Sequence, residues 1–384
     1  MARLPNPYRP GFNQAPLLLA GRDDVLDGAV DALEQAALDA RTPRPLVVVG
    51  SRGVGKTVVL TRVADLAAER FGWLTVHVEV RPHEPFTDLL AGRLLEAAAV
   101  LTDAPPGPRF EVDTATVRAR LAGVGAELTL RRRAPEPVRH ASLGDALHRA
   151  VDAALARESG LVLTVDEVQL ASHRELAGFA ATLQERTPDD WPLVVALAGL
   201  PSVRSPRRSV TYLERAAWYE IGLLDERDTA RALAEPAAQA GRPISPAALD
   251  LLAATSGGYP YAVQVLGHYA WRESFGAPEI TLDHARAALP RAHADLAAGL
   301  YQARWDDASP RQQEYLAAVA DLLGRTGEAT GGDVARLLGA EPSAVSYLRD
   351  RLLQKGTLYA DGRALRFPTP GMAQWITGHA RLGD

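Results

Sequence analysis

Residues 50–57 carry glycine, lysine and threonine at a spacing that suits phosphate binding. They read Gly-Ser-Arg-Gly-Val-Gly-Lys-Thr and match the pattern G-x-x-x-x-G-K-[ST]. In such a loop the glycines let backbone N–H groups point at phosphate oxygens, the lysine reaches the β- and γ-phosphates, and the threonine hydroxyl ligates Mg²⁺. This octet therefore predicts a nucleoside triphosphate site in which Lys56 binds phosphate and Thr57 binds the metal.

Lysine is scarce in this chain, which makes its place in the octet informative. Only Lys56 and Lys355 are lysines among the 42 basic residues, so a lysine-rich surface does not explain Lys56. The flanking segments also fit, since 45–49 is typical of a buried strand and 57–63 of the helix that follows it. The residues expected to contact the nucleotide here are Gly50, Ser51, Arg52, Gly53, Val54, Gly55, Lys56, Thr57 and Val58.

Two adjacent acids, Asp166 and Glu167, follow an apolar run at 160–165 that is typical of a buried strand. Downstream of a phosphate loop this is the Walker B pattern. Asp166 is expected to hold Mg²⁺ through its water shell, and Glu167 to orient and deprotonate the attacking water. The acidic pair therefore predicts the metal-binding and catalytic carboxylates of a hydrolytic site.

These candidate residues need a scaffold that brings them together. Apolar or alternating strand patterns at 73–80, 160–167 and 193–198 are separated by helical patterns and short loops, which favours a parallel sheet covered on both faces. In such a sheet the nucleotide lies at the carboxyl ends of the strands, where the loop and both acids converge.

Composition limits the class of protein. A chain of 384 residues with 47% hydrophobic content is long enough for two or three globular domains. The absence of cysteine excludes disulfides and thiolate zinc sites and fits a reducing compartment. No apolar run is long enough to span a membrane and no secretory signal is evident, so we expect a cytoplasmic protein with no membrane partner. The net charge of −5 gives no general support for nucleic-acid binding.

The sequence patterns in the second half of the chain are mainly helical. Residues 225–304 read as an all-α segment, and 309 onward reads as three helices at 310–323, 331–338 and 342–354. A hairpin at 357–367, turning at Asp361-Gly362, follows them and gives the winged-helix order.

This pattern predicts three domains. They are a P-loop domain at 1–222 with a proline-bracketed insertion at 102–140, a helical lid at 223–305 and a winged helix at 306–384. The fold class expected is α/β, a three-layer P-loop NTPase with a parallel sheet, an all-α lid and a C-terminal winged helix.

The order of loop, acidic pair, helical lid and winged helix resembles the AAA+ ATPases of the origin-recognition-initiator type and the related STAND signalling ATPases. The resemblance extends from Gly21 to about Ile376. It implies that Gly21 and Arg22, in a Gly-Arg-Asp element before the first helix, lie near the adenine. An ordinary helix N-terminus, with Asp23 favouring the helix dipole, explains the same residues equally well.

The lid and the fourth strand separate the subgroups. Residues 258–260 resemble the G-x-P motif of STAND proteins, which implies that Pro260 packs near the base, whereas Tyr261 stands where initiators place a sensor arginine. Ala198-Gly199 stands where many AAA+ proteins carry a polar sensor, and neither Ser202 nor Gln169 is a good replacement. These departures favour a slow nucleotide switch over a fast motor.

An arginine finger from a neighbouring subunit is the remaining catalytic element that the resemblance implies. The segment 213–216 resembles the stretch that carries it, which makes Arg215 the candidate, with Arg204, Arg207 and Arg208 as competitors. A finger supplied in this way implies a homo-oligomer.

The winged-helix segment 342–366 is the candidate contact for double-stranded DNA. Its basic side chains are Arg349, Arg351, Lys355, Arg363 and Arg366. Residues 301–384 contain ten basic and ten acidic side chains, so the module as a whole is neutral, and packing on the ATPase or binding a protein stays open.

The sequence thus predicts an ATP-binding, ATP-hydrolysing AAA+/STAND-like regulatory protein that uses ATP, ADP and Mg²⁺. Its nucleotide state is expected to control assembly and the winged helix, with DNA as the partner of that module. The alternative is a signalling or scaffold protein that holds nucleotide with little or no hydrolysis and binds a protein partner.

Overall fold

A computed structural model describes residues 4–11, 14–39, 41–82, 84–103, 142–186, 190–204 and 211–380. It divides into two compact units. The sheet unit comprises Arg22–Gly50 and Lys56–Glu220, and the helical unit comprises Met1–Gly21, Ser51–Gly55 and Ile221–Asp384. The predicted insertion at 102–140 lies outside the described residues apart from its first two positions. The predicted domain boundaries at 222/223 and 305/306 stay predictions.

The described part of the sheet unit contains five strands and six α-helices. The strands are β1 (Leu46–Val49), β2 (Leu74–Glu79), β3 (Leu161–Asp166), β4 (Leu193–Gly199) and β5 (Ala217–Glu220). The helices are α1 (Asp23–Leu38), α2 (Lys56–Phe71), α3 (Phe86–Asp103), α4 (Leu143–Leu155), α5 (His173–Arg186) and α6 (Thr211–Glu214). Short 3₁₀ turns follow β3 and β4, at Val168–Leu170 and Pro201–Arg204.

The five strands form one parallel sheet in the order β2-β3-β4-β1-β5. β1 lies between β4 and β5, with Val49 in register with Gly199 on one side and Glu220 on the other. The chain leaves β1 at the same edge of the sheet at which it leaves β3 and β4. The parallel sheet expected from the alternation of strands and helices is therefore present.

Helices cover both faces of this sheet. Val47 and Val49 belong to a core that includes side chains of α3, α4 and α5, such as Leu90, Leu147 and Phe179. Side chains alternate along a strand, so Leu46 and Val48 point to the other face, where α1 and α2 pack. Every residue of β1, β3 and β4 is buried, which is the pattern of a sheet enclosed between two helical layers.

The longest segment of the helical unit, Ile221–Asp384, begins with four helices. They are α7 (Glu226–Gln239), α8 (Pro246–Ser256), α9 (Pro260–Glu273) and α10 (Leu282–Leu296). A π-turn at Ala297–Tyr301 follows α10 and precedes the short helix α11 (Gln302–Asp306). The proline of this segment, Pro290, lies inside α10. A shared apolar core joins these helices to the rest of the unit.

Three helices and a hairpin complete the helical unit in winged-helix order. They are α12 (Pro310–Thr326), α13 (Gly331–Leu337), α14 (Pro342–Gln354), β6 (Tyr359–Asp361) and β7 (Ala364–Arg366), followed by α15 (Met372–Ala380). The hairpin turn is made by Gly362 and Arg363, with Gly362 at a φ of 61°, and Thr330 adds a bridge to Ala364. α14 buries Val345, one turn before Leu348 and two before Leu352.

Within the described ranges, no helix is both long enough and apolar enough to cross a membrane.

Candidate nucleotide-binding site

The octet connects the end of β1 to the start of α2. Its first residue is tied to the sheet, since the Gly50 N–H donates to the Gly199 carbonyl at 3.2 Å. Gly53 and Gly55 have φ values of 81° and 96°, a region that glycine adopts without strain. α2 begins at Lys56, so two of the four N–H groups at its start, those of Lys56 and Thr57, belong to the octet. A helix N-terminus after a glycine-rich turn is suited to bind phosphate.

The predicted metal ligands lie side by side in the sheet unit. The Thr57 hydroxyl donates to Oδ2 of Asp166 at 2.5 Å. Asp166 is 3% exposed and Lys56 is 5% exposed, although charged side chains are rarely buried without a function or a partner. A hydroxyl and a carboxylate are oxygen ligands of the kind that Mg²⁺ prefers. The residues present therefore fit the metal that the sequence predicts.

Glu167 is fixed by the turn that follows β3. Its φ is 55°, in the left-handed region that few non-glycine residues adopt, and its N–H donates to Oδ1 of Asp166 at 2.7 Å. Its carboxylate accepts a hydrogen bond from the amide nitrogen of Gln169. Strained backbone of this kind is common at functional sites.

The contact of Gly21, Arg22 and Pro260 with the base stays a prediction. Gly21 has a φ of 64°, and a Cβ there would lie 2.8 Å from Oδ2 of Asp228. Arg22 precedes α1 and is 6% exposed. Pro260 is the first residue of α9, directly after the fully buried Tyr259.

The arginine-finger candidates differ in how the structure holds them. Arg215 is exposed in the turn between α6 and β5, as its predicted role requires. Arg204 instead lies over the Trp218 ring, 5.4 Å from its centroid. Arg207 and Arg208 lie outside the described residues.

The middle of the octet is held within the helical unit by two residues, one of which sequence reasoning missed. The Tyr259 hydroxyl donates to the Arg52 carbonyl at 3.2 Å, and a Cβ at Gly53 would lie 1.7 Å from that hydroxyl oxygen. Arg304, on α11, donates to the same carbonyl at 3.2 Å and to the Tyr259 hydroxyl at 3.1 Å. The G-x-P motif drew attention to Tyr259, but one arginine among 40 gave no signal for Arg304.

Arg304 also reaches the segment before α15. Its guanidinium donates to the Thr369 hydroxyl, and Arg304 itself is 8% exposed. Nearby, the Tyr301 hydroxyl donates to the Pro370 carbonyl at 2.5 Å, and burial raises the pKa of Tyr301 to about 12. That hydroxyl therefore stays a donor at physiological pH. Within the part of the chain that is described, Arg304 forms no ion pair, and its partners are neutral oxygens.

The predicted DNA-binding side chains are partly neutralised by acids. Arg349 pairs with Asp350 at 3.0 Å, Arg366 with Asp361 at 3.1 Å and Lys355 with Asp307 at 3.4 Å. Arg351 and Arg363 form no ion pair within the described residues, so they are the free cations of this surface.

Residues 18–196 match the AAA ATPase domain. This part of the chain is therefore similar to AAA ATPase domains. Residues 298–376 match a domain of unknown function, DUF8462. No curated protein matches the chain.

Two archaeal structures are similar to almost the whole chain. The ORC2 protein of Aeropyrum pernix, solved as ADPNP-ADP complexes, has a TM-score of 0.61 at 15% identity, over 98% of each chain. The Walker-type ATPase PABY2304 of Pyrococcus abyssi has a TM-score of 0.61 at 15% identity, over 93% of this chain and 96% of that one. These likenesses concern the fold. They confirm the predicted fold class, a P-loop NTPase with a parallel sheet, a helical lid and a C-terminal winged helix.

Proposed function

We propose that this protein is an ATP-binding and ATP-hydrolysing regulatory ATPase. Its nucleotide state controls assembly and a winged-helix module that contacts DNA. The observation that carries the proposal is the hydrogen bond between Thr57 and Asp166, next to the buried Lys56 at the start of α2. The AAA ATPase match over 18–196 contains all three residues.

The residues divide the chemistry among them. N–H groups of the octet and the Lys56 ammonium bind the phosphates of ATP, while Thr57 and Asp166 hold Mg²⁺. The metal supplies positive charge to the β- and γ-phosphate oxygens. Glu167 accepts a proton from the water that attacks the γ-phosphate. Gly21, Arg22 and Pro260 are assigned to the base, and Arg215 is assigned to the site of a neighbouring copy.

Contacts within the helical unit support a role as a nucleotide switch. Arg304 joins the Arg52 carbonyl in the middle of the octet to Thr369, which lies between the hairpin and α15. A change in the backbone at Arg52 on phosphate binding alters what Arg304 can reach. The position of residues near Thr369 then depends on the nucleotide, which is the coupling that the proposal requires.

Measuring ATP binding and turnover of the wild-type protein, with and without duplex DNA, tests the function. We expect micromolar binding that depends on Mg²⁺, slow turnover, and stimulation by DNA that is lost at high salt because phosphate contacts are screened. The absence of turnover in the presence of Mg²⁺, both with and without duplex DNA, would overturn the proposal.

A second measurement tests the switch. Arg304→Gln shortens the side chain and removes its charge, so we expect ATP binding to persist while the effect of ATP on oligomeric mass and DNA affinity is lost. Arg291→Gln is the matched control, because Arg291 is exposed in the same unit and pairs with Glu273. Unchanged coupling in Arg304→Gln would exclude this route.

The alternative function, a nucleotide-holding scaffold with a protein partner, is favoured by one observation. Arg349, Lys355 and Arg366 each pair with an acid, which leaves little unpaired positive charge for phosphate contacts. A protein that retains ATP but shows no turnover and no salt-sensitive binding of DNA would favour this alternative.

A further inference from the structure

The chain after β3 folds back so that Gln169 reaches Glu167. The left-handed conformation of Glu167 starts the reversal, and the 3₁₀ turn continues it. The Leu170 N–H donates to the Glu167 carbonyl at 2.8 Å and closes the turn. Gln169 is therefore placed beside the carboxylate by local backbone geometry within the sheet unit.

Both the nitrogen and the oxygen of the Gln169 side-chain amide form hydrogen bonds. Its nitrogen donates to Oε2 of Glu167, and its oxygen accepts from the Leu200 N–H at 2.9 Å. A backbone N–H needs an acceptor and a carboxylate needs a donor, so these two partners fix the orientation of the amide. Gln169 is 8% exposed, which means that the pair of bonds is shielded from water.

Gly199, at the end of β4, leaves the space that this amide occupies. A Cβ at Gly199 would lie 2.9 Å from Oε1 of Gln169 and 2.8 Å from Cγ2 of Val168. Ala198-Gly199, the place where the strand lacks a polar side chain, is therefore next to a polar side chain supplied by the turn after β3. The absence of a side chain at Gly199 is therefore what allows the buried Gln169 amide to lie there.

We propose that Gln169 is the positioning residue for Glu167, holding the catalytic carboxylate against the end of β4. The inference rests on the proposed hydrolysis. The amide N–H restricts the Glu167 side chain to one direction, and the bond to Leu200 ties that direction to the sheet. The group that Glu167 acts on is the attacking water, so Gln169 affects the rate without touching ATP.

Gln169→Glu removes the amide donor and places a second carboxylate beside Glu167. The new carboxylate keeps the volume and an acceptor for the Leu200 N–H, but it repels Glu167 and cannot donate to it when ionised. We expect kcat to fall roughly 10- to 100-fold, the scale of a 1 Å displacement of a catalytic group, while KM for ATP stays within about threefold. Gln184→Glu, the same change on the exposed side of α5, is the control and is expected to leave kcat unchanged.

Gly199→Ala provides a second route to the same displacement. Its methyl group pushes the Gln169 amide away without changing any polar group, and we expect a fall in kcat of roughly 3- to 10-fold with KM unchanged. Thermal unfolding of both variants verifies that the sheet unit is folded.

The outcomes separate the inference from the proposed function. A normal kcat in Gln169→Glu, with Glu167→Gln inactive, would overturn the role of Gln169 and leave the function intact. A parallel loss of ATP affinity and kcat would also overturn it, because a positioning residue for the water acts on kcat. Wild-type protein that binds ATP but never hydrolyses it would overturn both.

Discussion

The ends and the middle of the octet are held in different ways. At the ends, the side chains of Lys56 and Thr57 lie in the sheet unit, and Thr57 contacts Asp166. In the middle, the helical unit holds the backbone of Arg52 through Tyr259 and Arg304. The proposed function assigns phosphate and metal binding to the ends, and to the middle a role in reporting the state of the loop.

The largest effect is expected at the Lys56 end. Lys56→Ala removes the one ammonium that the octet aims at the phosphates, so ATP affinity should fall roughly 100-fold, equivalent to the loss of about 3 kcal/mol in a charged hydrogen bond. Isothermal titration with ATP and Mg²⁺ measures the change.

The control for Lys56→Ala is Arg70→Ala, a change at an exposed cation on the same helix that pairs with Glu34. It should bind ATP as the wild type does. Tight ATP binding by Lys56→Ala would mean that Lys56 does not bind phosphate. The proposed difference in role between the ends and the middle of the octet would then be wrong.

Substitution of Glu167 is expected to reduce ATP hydrolysis without changing ATP affinity. Glu167→Gln keeps the shape of the side chain but cannot accept the proton of the attacking water, so turnover should fall about 100-fold or more. ATP affinity should stay within about threefold, because Glu167 is not assigned a phosphate contact. Single-turnover assays measure the rate, with the exposed Glu185→Gln on α5 as the control. Unchanged turnover would remove Glu167 from its role.

These two predictions use residues that the sequence identified, and the reason is chemical. Phosphate and Mg²⁺ contacts demand particular residue types at particular places in the chain, so the sequence pattern is enough to predict such contacts for Lys56, Thr57 and Asp166. The parallel sheet followed from alternating patterns and burial. Even the end of α14 at Gln354 was predicted, because the helix starts at Pro342 and stops before Gly356.

Residues that act through the backbone left no such signal. Arg304 donates to a carbonyl, an acceptor that every residue carries, so nothing in its type or spacing indicated the contact. Gln169 was noticed but judged a poor replacement for a strand-borne sensor. Its fit depends on the left-handed turn at Glu167 and the space at Gly199, which only the folded chain shows.

Gly53 tests the middle of the octet. Gly53→Ala places a methyl group where the Tyr259 hydroxyl lies, 1.7 Å away, and strains a φ of 81°. We expect a loss of about 2–4 kcal/mol in the free energy of unfolding, the combined scale of overpacking and positive φ. Chemical denaturation measures it.

Gly55→Ala is the matched control for Gly53→Ala. Its φ is 96°, but its added Cβ would meet nothing within 4 Å, so only backbone strain is expected, at roughly 1 kcal/mol. Equal losses in the two variants would show that the Tyr259 contact does not hold the middle of the loop.

The smallest effect, from Tyr259→Phe, gives the sharpest test of the middle of the octet. The change deletes one hydroxyl from a fully buried ring and with it two hydrogen bonds, one donated to the Arg52 carbonyl and one accepted from Arg304. Arg304 still donates to that carbonyl, so the carbonyl keeps a donor. The expected loss is therefore about 1–2 kcal/mol, the net value of two hydrogen bonds. Tyr315→Phe is the control, since the Tyr315 ring is also buried in the helical unit and its hydroxyl forms no hydrogen bond within the described residues. A loss well above about 2 kcal/mol, the value expected for two hydrogen bonds, with Tyr315→Phe close to the wild type, would mean that Arg304 depends on the Tyr259 hydroxyl for its position. No loss at all would leave Arg304 as the residue that holds the octet, because it alone would then fix the Arg52 carbonyl.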